Sequence, residues 1–329
     1  MNKYFAVIIF LTLMLSCKQD RKIETFTIAF GSCNNQSISE QPIWDKVLSH
    51  DPDLWIWLGD IIYADTEDMM QMKADYDLQK SYPDYQKLVR STEVIGIWDD
   101  HDYGANNSGK DYPQKEKSKE LLFSFLEVSK EDDAWDRPGT YQTYEYSLAS
   151  YKIKVILLDV RFFRDEPGPD NTIIGEEQWT WFENQLETSD ADIHIIGGGS
   201  QFLPEDHRFE KWANYPKDRA RLIEVIGQYD IAYPILISGD RHLAEMSLVT
   251  DSDGDPILEV TSSGLTHSYR GFTEEANRHR VGGEVVSEKN FGMITISAGE
   301  QLGYTTALYD DKNVKQYQLE DTDVMKLTK

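Results

Sequence analysis

Six short apolar runs along this chain each end in small or chemically active residues, and that repetition is its most informative pattern. Phe26 to Phe30 ends in Gly31-Ser32-Cys33, Leu54 to Leu58 in Gly59-Asp60, and Val94 to Trp98 in Asp99-Asp100-His101-Asp102. Further on, Val155 to Leu158 ends at Asp159, Ile193 to Ile196 in Gly197-Gly198-Gly199, and Pro234 to Ile237 in Ser238-Gly239-Asp240-Arg241-His242. Brief continuous apolar runs closed by such residues are buried-strand candidates. Between them, Gln41 to His50, Met69 to Leu88, Gln114 to Val128, Glu176 to Glu187 and Arg219 to Gln228 have helix-like character. The fold class is therefore α/β, with sheets flanked by helices. Asp102 to Pro113 and Gly264 to Gly283 read as long loops beside a site rather than as linkers. The carboxyl ends of strands in such sheets open into one crevice, so these endings predict one shared site.

The start of the chain carries a different signal. Lys3 precedes an apolar run from Tyr4 to Leu15, then Ser16 and Cys17. The run is shorter than the roughly 18 residues that span a bilayer, so it reads as a signal peptide and not a permanent anchor. Its end, Leu13-Met14-Leu15-Ser16-Cys17, resembles a bacterial lipobox. The expectation is a lipoprotein signal peptide over residues 1–17, a lipidated Cys17, a tether over residues 18–24 and one catalytic domain over residues 25–329. The protein would then be exported and held at a bacterial membrane by lipid. Cys17 and Cys33 are the two cysteines, so an acylated Cys17 leaves Cys33 without an intrachain partner.

Composition narrows the function classes. With 329 residues and 40% hydrophobic content, the chain can bury one large core. A formal net charge of -25 repels nucleic acid and argues against a nucleic-acid-binding module, while suiting a protein that gathers divalent cations. A serine esterase is disfavoured because no Gly-x-Ser-x-Gly elbow occurs.

Metal chemistry fits the strand endings better. A metal hydrolase needs several oxygen, nitrogen or sulfur ligands delivered from different strand ends. Asp60 follows a glycine that allows close backbone approach and could bridge two metals, and Tyr63 could add a phenolate oxygen. Three carboxylates around one imidazole in Asp99-Asp100-His101-Asp102 repel one another unless cations or strong donors compensate. Asp240 and His242, two apart in extended backbone, would point the same way and serve adjacent metals. Cys33, without a disulfide partner, is a further ligand candidate. Thiolate, imidazole and phenolate favour a transition ion, and Asp60, Asp100 and Asp240 favour a hard one, so two unlike metals are expected.

Five segments carry a resemblance. Gly31-Ser32-Cys33, Leu58-Gly59-Asp60-Ile61-Ile62-Tyr63, Trp98-Asp99-Asp100-His101-Asp102, Leu158-Asp159-Val160-Arg161-Phe162-Phe163-Arg164 and Leu236-Ile237-Ser238-Gly239-Asp240-Arg241-His242 resemble the ordered motifs of PhoD-like alkaline phosphatases. That family belongs to the calcineurin-like metallophosphoesterase superfamily. The resemblance, covering about Phe26 to Ser297, implies a four-layer αββα sandwich and an iron–calcium centre. It assigns Cys33, Asp60, Tyr63 and His242 to ferric iron (Fe3+). It assigns Asp60, Asp240, an oxygen of the Asp100 motif, and Asn106 or Asn107 to calcium (Ca2+). Arg241 departs from the small apolar residue common at its place.

The expected reaction is hydrolysis of a phosphodiester or phosphomonoester by in-line attack of a metal-bound hydroxide at a binuclear centre. His101 would protonate or steady the leaving oxygen beside Asp100, Arg161 and Arg241 would grip phosphate, and Gln201 would contact metal or substrate. His267, Arg270, Asn277 and Arg280 would shape the leaving-group pocket. The competing reading is a non-catalytic, calcium-dependent surface binding lipoprotein, which would need neither His101 nor Cys33.

Overall fold

A computed structural model of the chain describes residues 23–328 except 273. The signal peptide, the lipidation of Cys17 and most of the tether lie outside the described residues. Among the described residues no helix is long and apolar enough to cross a membrane.

The strands are β1 (Glu24–Gly31), β2 (Leu54–Leu58), β3 (Glu93–Ile97), β4 (Gln142–Leu148), β5 (Tyr151–Leu158), β6 (Ile193–Gly198) and β7 (Pro234–Ser238), then β8 (Ala244–Thr250), β9 (Pro256–Ser262), β10 (Arg280–Val286), β11 (Asn290–Ala298), β12 (Leu302–Asp310) and β13 (Lys315–Glu320). They form two sheets, a six-stranded one in the order β13-β12-β11-β1-β2-β3 and a seven-stranded one in the order β10-β8-β9-β7-β6-β5-β4. Each sheet has a parallel part: β1-β2-β3 runs to one edge of the first, with antiparallel strands beyond β1, and β5-β6-β7-β9 forms the centre of the second, with antiparallel strands at both edges. Every apolar run predicted as a strand coincides with a parallel strand, Val94 to Trp98 extending one residue past the end of β3.

The period of two along these strands builds the layers. In β5, Ile153, Val155 and Leu157 join the larger core between the sheets, whereas Ile156 and Leu158 join a second core. The same split separates Ile235 and Ile237 from Leu236 in β7. The second core is completed by Trp179, Phe182 and Leu186 of α6 (Gly175–Glu187) and by Leu222, Val225 and Ile226 of α7 (Pro216–Gln228). On the outer face of the other sheet, Trp44 of α1 (Ile43–Leu48) packs edge-on against Trp55 and Trp57, with ring centroids 5.1 and 5.3 Å apart. The architecture is the expected four-layer αββα sandwich.

Two elements differ from expectation. The helix read over Met69 to Leu88 is two helices, α2 (Met69–Ser81) and α3 (Pro83–Ser91). Pro83 forces its predecessor out of the helical region, and Tyr82 is extended at φ -65, ψ 126. The predicted loops are shorter than read, because a four-residue helix α4 (Asp100–Tyr103) opens the first and β10 closes the second. Of the remaining helices, α5 (Lys115–Phe125) packs against α2 and α4, and α8 (Asp321–Leu327) against β9, β12 and β13.

Candidate metal centre

The carboxyl ends of β1, β2, β3 and β7 deliver their side chains to one place. Three groups of ligand atoms lie within 4.8 Å of one another: Cys33 with Asp60 and His242, Asp60 with Asp100 and His101, and Asp99 with Asp100 and Asp240. The groups overlap through Asp60 and Asp100. Tyr63 completes the first, its hydroxyl donating to Asp60 Oδ2 at 3.3 Å and lying 3.3 Å from His242 Nε2. The Cys33 thiol donates to Asp60 Oδ2 at 3.4 Å.

The backbone here is held in the left-handed region. Cys33, Asp60, Asp240 and His242 have φ of 58, 49, 70 and 55°, and Asp65 and Asn107 beside them have 45 and 61°. Non-glycine residues adopt this region at a cost, and such residues cluster where a site dictates side-chain direction. The extended geometry expected for Asp240 and His242 is thus incorrect: both are left-handed, and that turn brings them to the cluster. Gly59 has φ 84° and lies so close to Asp99 that a Cβ would come within 2.3 Å of the Asp99 Cβ. The turns are tied by Asp102, which accepts from the backbone N–H groups of Asp99 at 2.7 Å, Ile61 at 3.1 Å and Asp60 at 3.3 Å.

Electrostatics show what the cluster lacks. Burial and then the neighbouring Asp240 push the Cys33 thiol up to about 12. Burial, then Asp99, push Asp240 up to about 7, and burial with Cys33 and the surrounding aspartates raises Asp60 well above the carboxylate range. Asp60 Oδ1 and Asp99 Oδ2 are buried without a protein partner. Buried like charges that resist ionisation, with lone pairs pointing at one another, are the donor set that cations would satisfy. The residues present therefore fit a pair of metal ions.

Two imidazoles are oriented by what their other nitrogen holds. The His267 carbonyl accepts from His242 Nδ1 at 3.2 Å, which leaves the Nε2 lone pair facing Tyr63 and the cluster. His101 Nδ1 donates to both oxygens of Asp65, at 2.8 and 2.9 Å. Burial lowers His101, but the Asp65 hydrogen bond and the Asp100 charge outweigh it and raise the group. Burial would likewise raise Asp100, yet Arg161, His101 and the Asn107 N–H hold it below its ordinary value.

The cluster opens into a cavity of about 270 Å³ lined by Asp100, His101, Asn106, Asn107, Phe209, Glu210, Asp240, Arg241, His242 and Tyr269. Arg241 faces it, ion-paired with Glu275 and with its guanidinium 4.3 Å from the Phe209 ring centroid, and its buried Nε has no protein partner. Asn106 lies on the rim, its backbone N–H donating to Asp65 at 3.0 Å.

Two expected contacts require correction. Arg161 is fully buried behind the cluster, its Nε donating to Asp99 Oδ1 at 2.6 Å and its NH1 lying 2.8 Å from Glu210 Oε2, so it clamps the acidic turn and does not reach the cavity. Gln201 is a buried amide donating to Glu245 and Thr261, both at 2.9 Å, and supports the floor of the site. Of the late-loop residues, His267 packs on His242 with ring centroids 4.3 Å apart. Arg270 pairs with Asp311, Asn277 with Ser247 and Arg280 with Glu245, and none lines the cavity. Asp65, Phe209, Glu210 and Tyr269 were not singled out from the sequence. Asp65 alone had a signal, as an acid in the loop after Tyr63.

A four-layer sandwich whose strand ends gather aspartates, imidazole and thiol around one cavity defines the metallophosphoesterase fold. The chain belongs to the PhoD-like phosphatase family, whose model matches residues 28–316. It is 22% identical over 275 residues to alkaline phosphatase D of Bacillus subtilis, covering 67% of this chain and 46% of that protein. The chain thus spans less than half the length of that curated relative. Among solved structures, that of PhoD superposes with a TM-score of 0.65 at 16% identity, over 89% of this chain and 72% of the other. A dimetal phosphatase from Danio rerio superposes at 0.54 with 13% identity, over 90% and 98%.

Proposed function

We propose that this protein hydrolyses phosphate esters, mono- or diesters, at a binuclear metal centre. The observation that carries the reading is the sharing of ligands: Asp60 belongs both to the thiol–imidazole group and to the group around Asp100. Cys33, Asp60, Tyr63 and His242 would hold ferric iron, and Asp60, Asp100 and Asp240, with Asn106 at the rim, would hold calcium. When bound, the ions supply an activated water and neutralise charge developing on the phosphate oxygens.

The chain's own residues do the rest. Arg241 offers its unpartnered Nε to a phosphate oxygen in the cavity. His101, fixed through Nδ1 by Asp65, carries a proton on Nε2 for the departing alkoxide. Phe209 and Tyr269 form the cavity wall and limit water around the reacting phosphate. Arg161 keeps Asp99 and Asp100 in place from behind.

A calcium-binding, non-catalytic surface protein is the second reading, favoured by the all-carboxylate group of Asp99, Asp100 and Asp240. It gives no role to the Asp65–His101 pair. Hydrolysis of p-nitrophenyl phosphate and bis-p-nitrophenyl phosphate by protein lacking residues 1–17, with and without chelator, separates the two. Chelator-sensitive turnover supports the hydrolase, and none with metals bound supports the binding protein. We further propose attachment to a membrane through lipidated Cys17. Cys17→Ser would then move the protein from the membrane fraction to the soluble one.

A further inference from the structure

Beside the cavity over the metal cluster lies a second of about 460 Å³, lined by Asn107, Arg164, Glu166, Pro167, Arg208, Phe209, Glu210 and Asn214. The two share Asn107, Phe209 and Glu210 as a common wall. An ester whose phosphate occupied the first would have the second as the neighbouring space for an organic arm running past Phe209. Its volume falls in the range of small-ligand sites, about 300–1,000 Å³.

The lining says what kind of arm would fit. Arg164 is ion-paired with Glu210, a carboxylate it shares with the buried Arg161, whose charge is also met by Asp99. That leaves one cation, Arg208, and one anion, Glu166, both exposed and in no ion pair among the described residues. Asn107, also exposed, lines the same cavity. A second anionic group would meet Glu166 as well as Arg208, so net charge gives it no advantage. A purely alkyl arm would strip water from Asn107, Glu166 and Arg208 without replacing the lost bonds. Hydroxyl groups both donate and accept, and so match a carboxylate, a guanidinium and an amide at once. Phe209 and Pro167 supply apolar surface for the C–H groups of a ring, and two guanidiniums lie by the Phe209 ring, Arg208 at 5.1 Å and Arg241 at 4.3 Å from its centroid.

We propose that this second cavity is a subsite for a neutral sugar ring esterified to the phosphate, with Glu166, Arg208 and Asn107 reading its hydroxyls and Phe209 its face. The inference rests on the phosphate-ester reading above. It is tested on the metal-loaded protein by competition against p-nitrophenyl phosphate hydrolysis. Glucose 6-phosphate is compared with cyclohexylmethyl phosphate, a ring of the same size without hydroxyls. Two hydrogen bonds of ordinary strength correspond to about tenfold, so glucose 6-phosphate is expected to compete about tenfold more strongly. In the Glu166→Ala/Arg208→Ala double variant the ratio of the two competitors should fall to about twofold, as two of the three groups that read hydroxyls are gone and Asn107 remains. Equal competition by the two esters in the parent protein, or a preference that survives in the double variant, overturns the subsite and leaves the hydrolase standing. Absence of p-nitrophenyl phosphate turnover by metal-loaded protein removes the hydrolase reading, and the subsite with it.

Discussion

The two carboxylate oxygens of Asp65 lie 2.8 and 2.9 Å from Nδ1 of His101, so the imidazole enters the cavity already oriented. Asp65 itself is left-handed at φ 45° and also accepts the Asn106 N–H at 3.0 Å, which ties the imidazole to the rim. The pair has the geometry of a proton donor with a fixed tautomer. In Asp65→Ala, kcat is expected to drop by about 10–100-fold while metal content stays that of the parent. Asp65→Asn keeps an acceptor and should lose less. Steady-state kinetics beside metal analysis of the same samples checks both; loss of metal in Asp65→Ala would make the residue a ligand support instead.

Asp102 is the knot of the site, because three backbone N–H groups from two strand ends converge on one carboxylate. Asp102→Ala leaves all three buried donors unsatisfied and should destabilise the fold by about 2–5 kcal/mol. Denaturant unfolding measures the loss, and metal occupancy should fall with it. An unfolding midpoint equal to that of the parent would show that water replaces the carboxylate.

In the proposed assignment Cys33 is the soft donor, grouped with Asp60 and His242. Cys33→Ser should reduce occupancy of the transition ion several-fold, while calcium held by the carboxylates persists. Elemental analysis of the purified variant reads both metals at once. Loss of both ions together would mean that the two positions fill as one unit.

His207 gives a prediction about pH and stability away from the cluster. Burial, followed by the charges of Arg241 and Lys211, depresses it from 6.5 to about 3, and neither ring nitrogen has a protein partner. Below 6.5 the unfolded chain takes up a proton that the folded chain refuses, so stability is lost as pH falls from 6.5 toward 3. At pH 5 this single group costs about 2 kcal/mol. His207→Leu removes the proton linkage, and its melting temperature should fall less than the parent's between pH 7.5 and pH 5. Equal falls in the two proteins would place the acid sensitivity elsewhere.

The parallel strands were legible because their inner stretches are buried on both faces and therefore read as unbroken apolar runs, as Leu54–Leu58 does. The antiparallel strands were not. In β13 only Leu319 is buried, and β10 carries exposed Gly282, Gly283 and Glu284, so neither shows a clear period. The acidic endings predicted a common site because parallel topology fixes where strand ends meet, and Cys33, Asp60, Asp100, His101, Asp240 and His242 come together there, with Asn106 on the rim. The roles of Arg161 and Gln201 were hidden for another reason. Whether a polar side chain next to a site faces inward to substrate or backward to a carboxylate depends on contacts such as Arg161 with Asp99, 62 positions apart. Phe209 and Glu210 come from a loop with no apolar rhythm, and only the folded chain brings them to the cavity.

The most direct test of the binuclear account is a metal titration of chelator-stripped protein, following p-nitrophenyl ester hydrolysis and bound metal together. The account predicts no turnover in the stripped protein and activity that saturates at about two ions per chain, with Asp60→Ala binding fewer and remaining inactive. Hydrolysis that persists in the stripped protein, or full activity with Asp60 replaced, would contradict it.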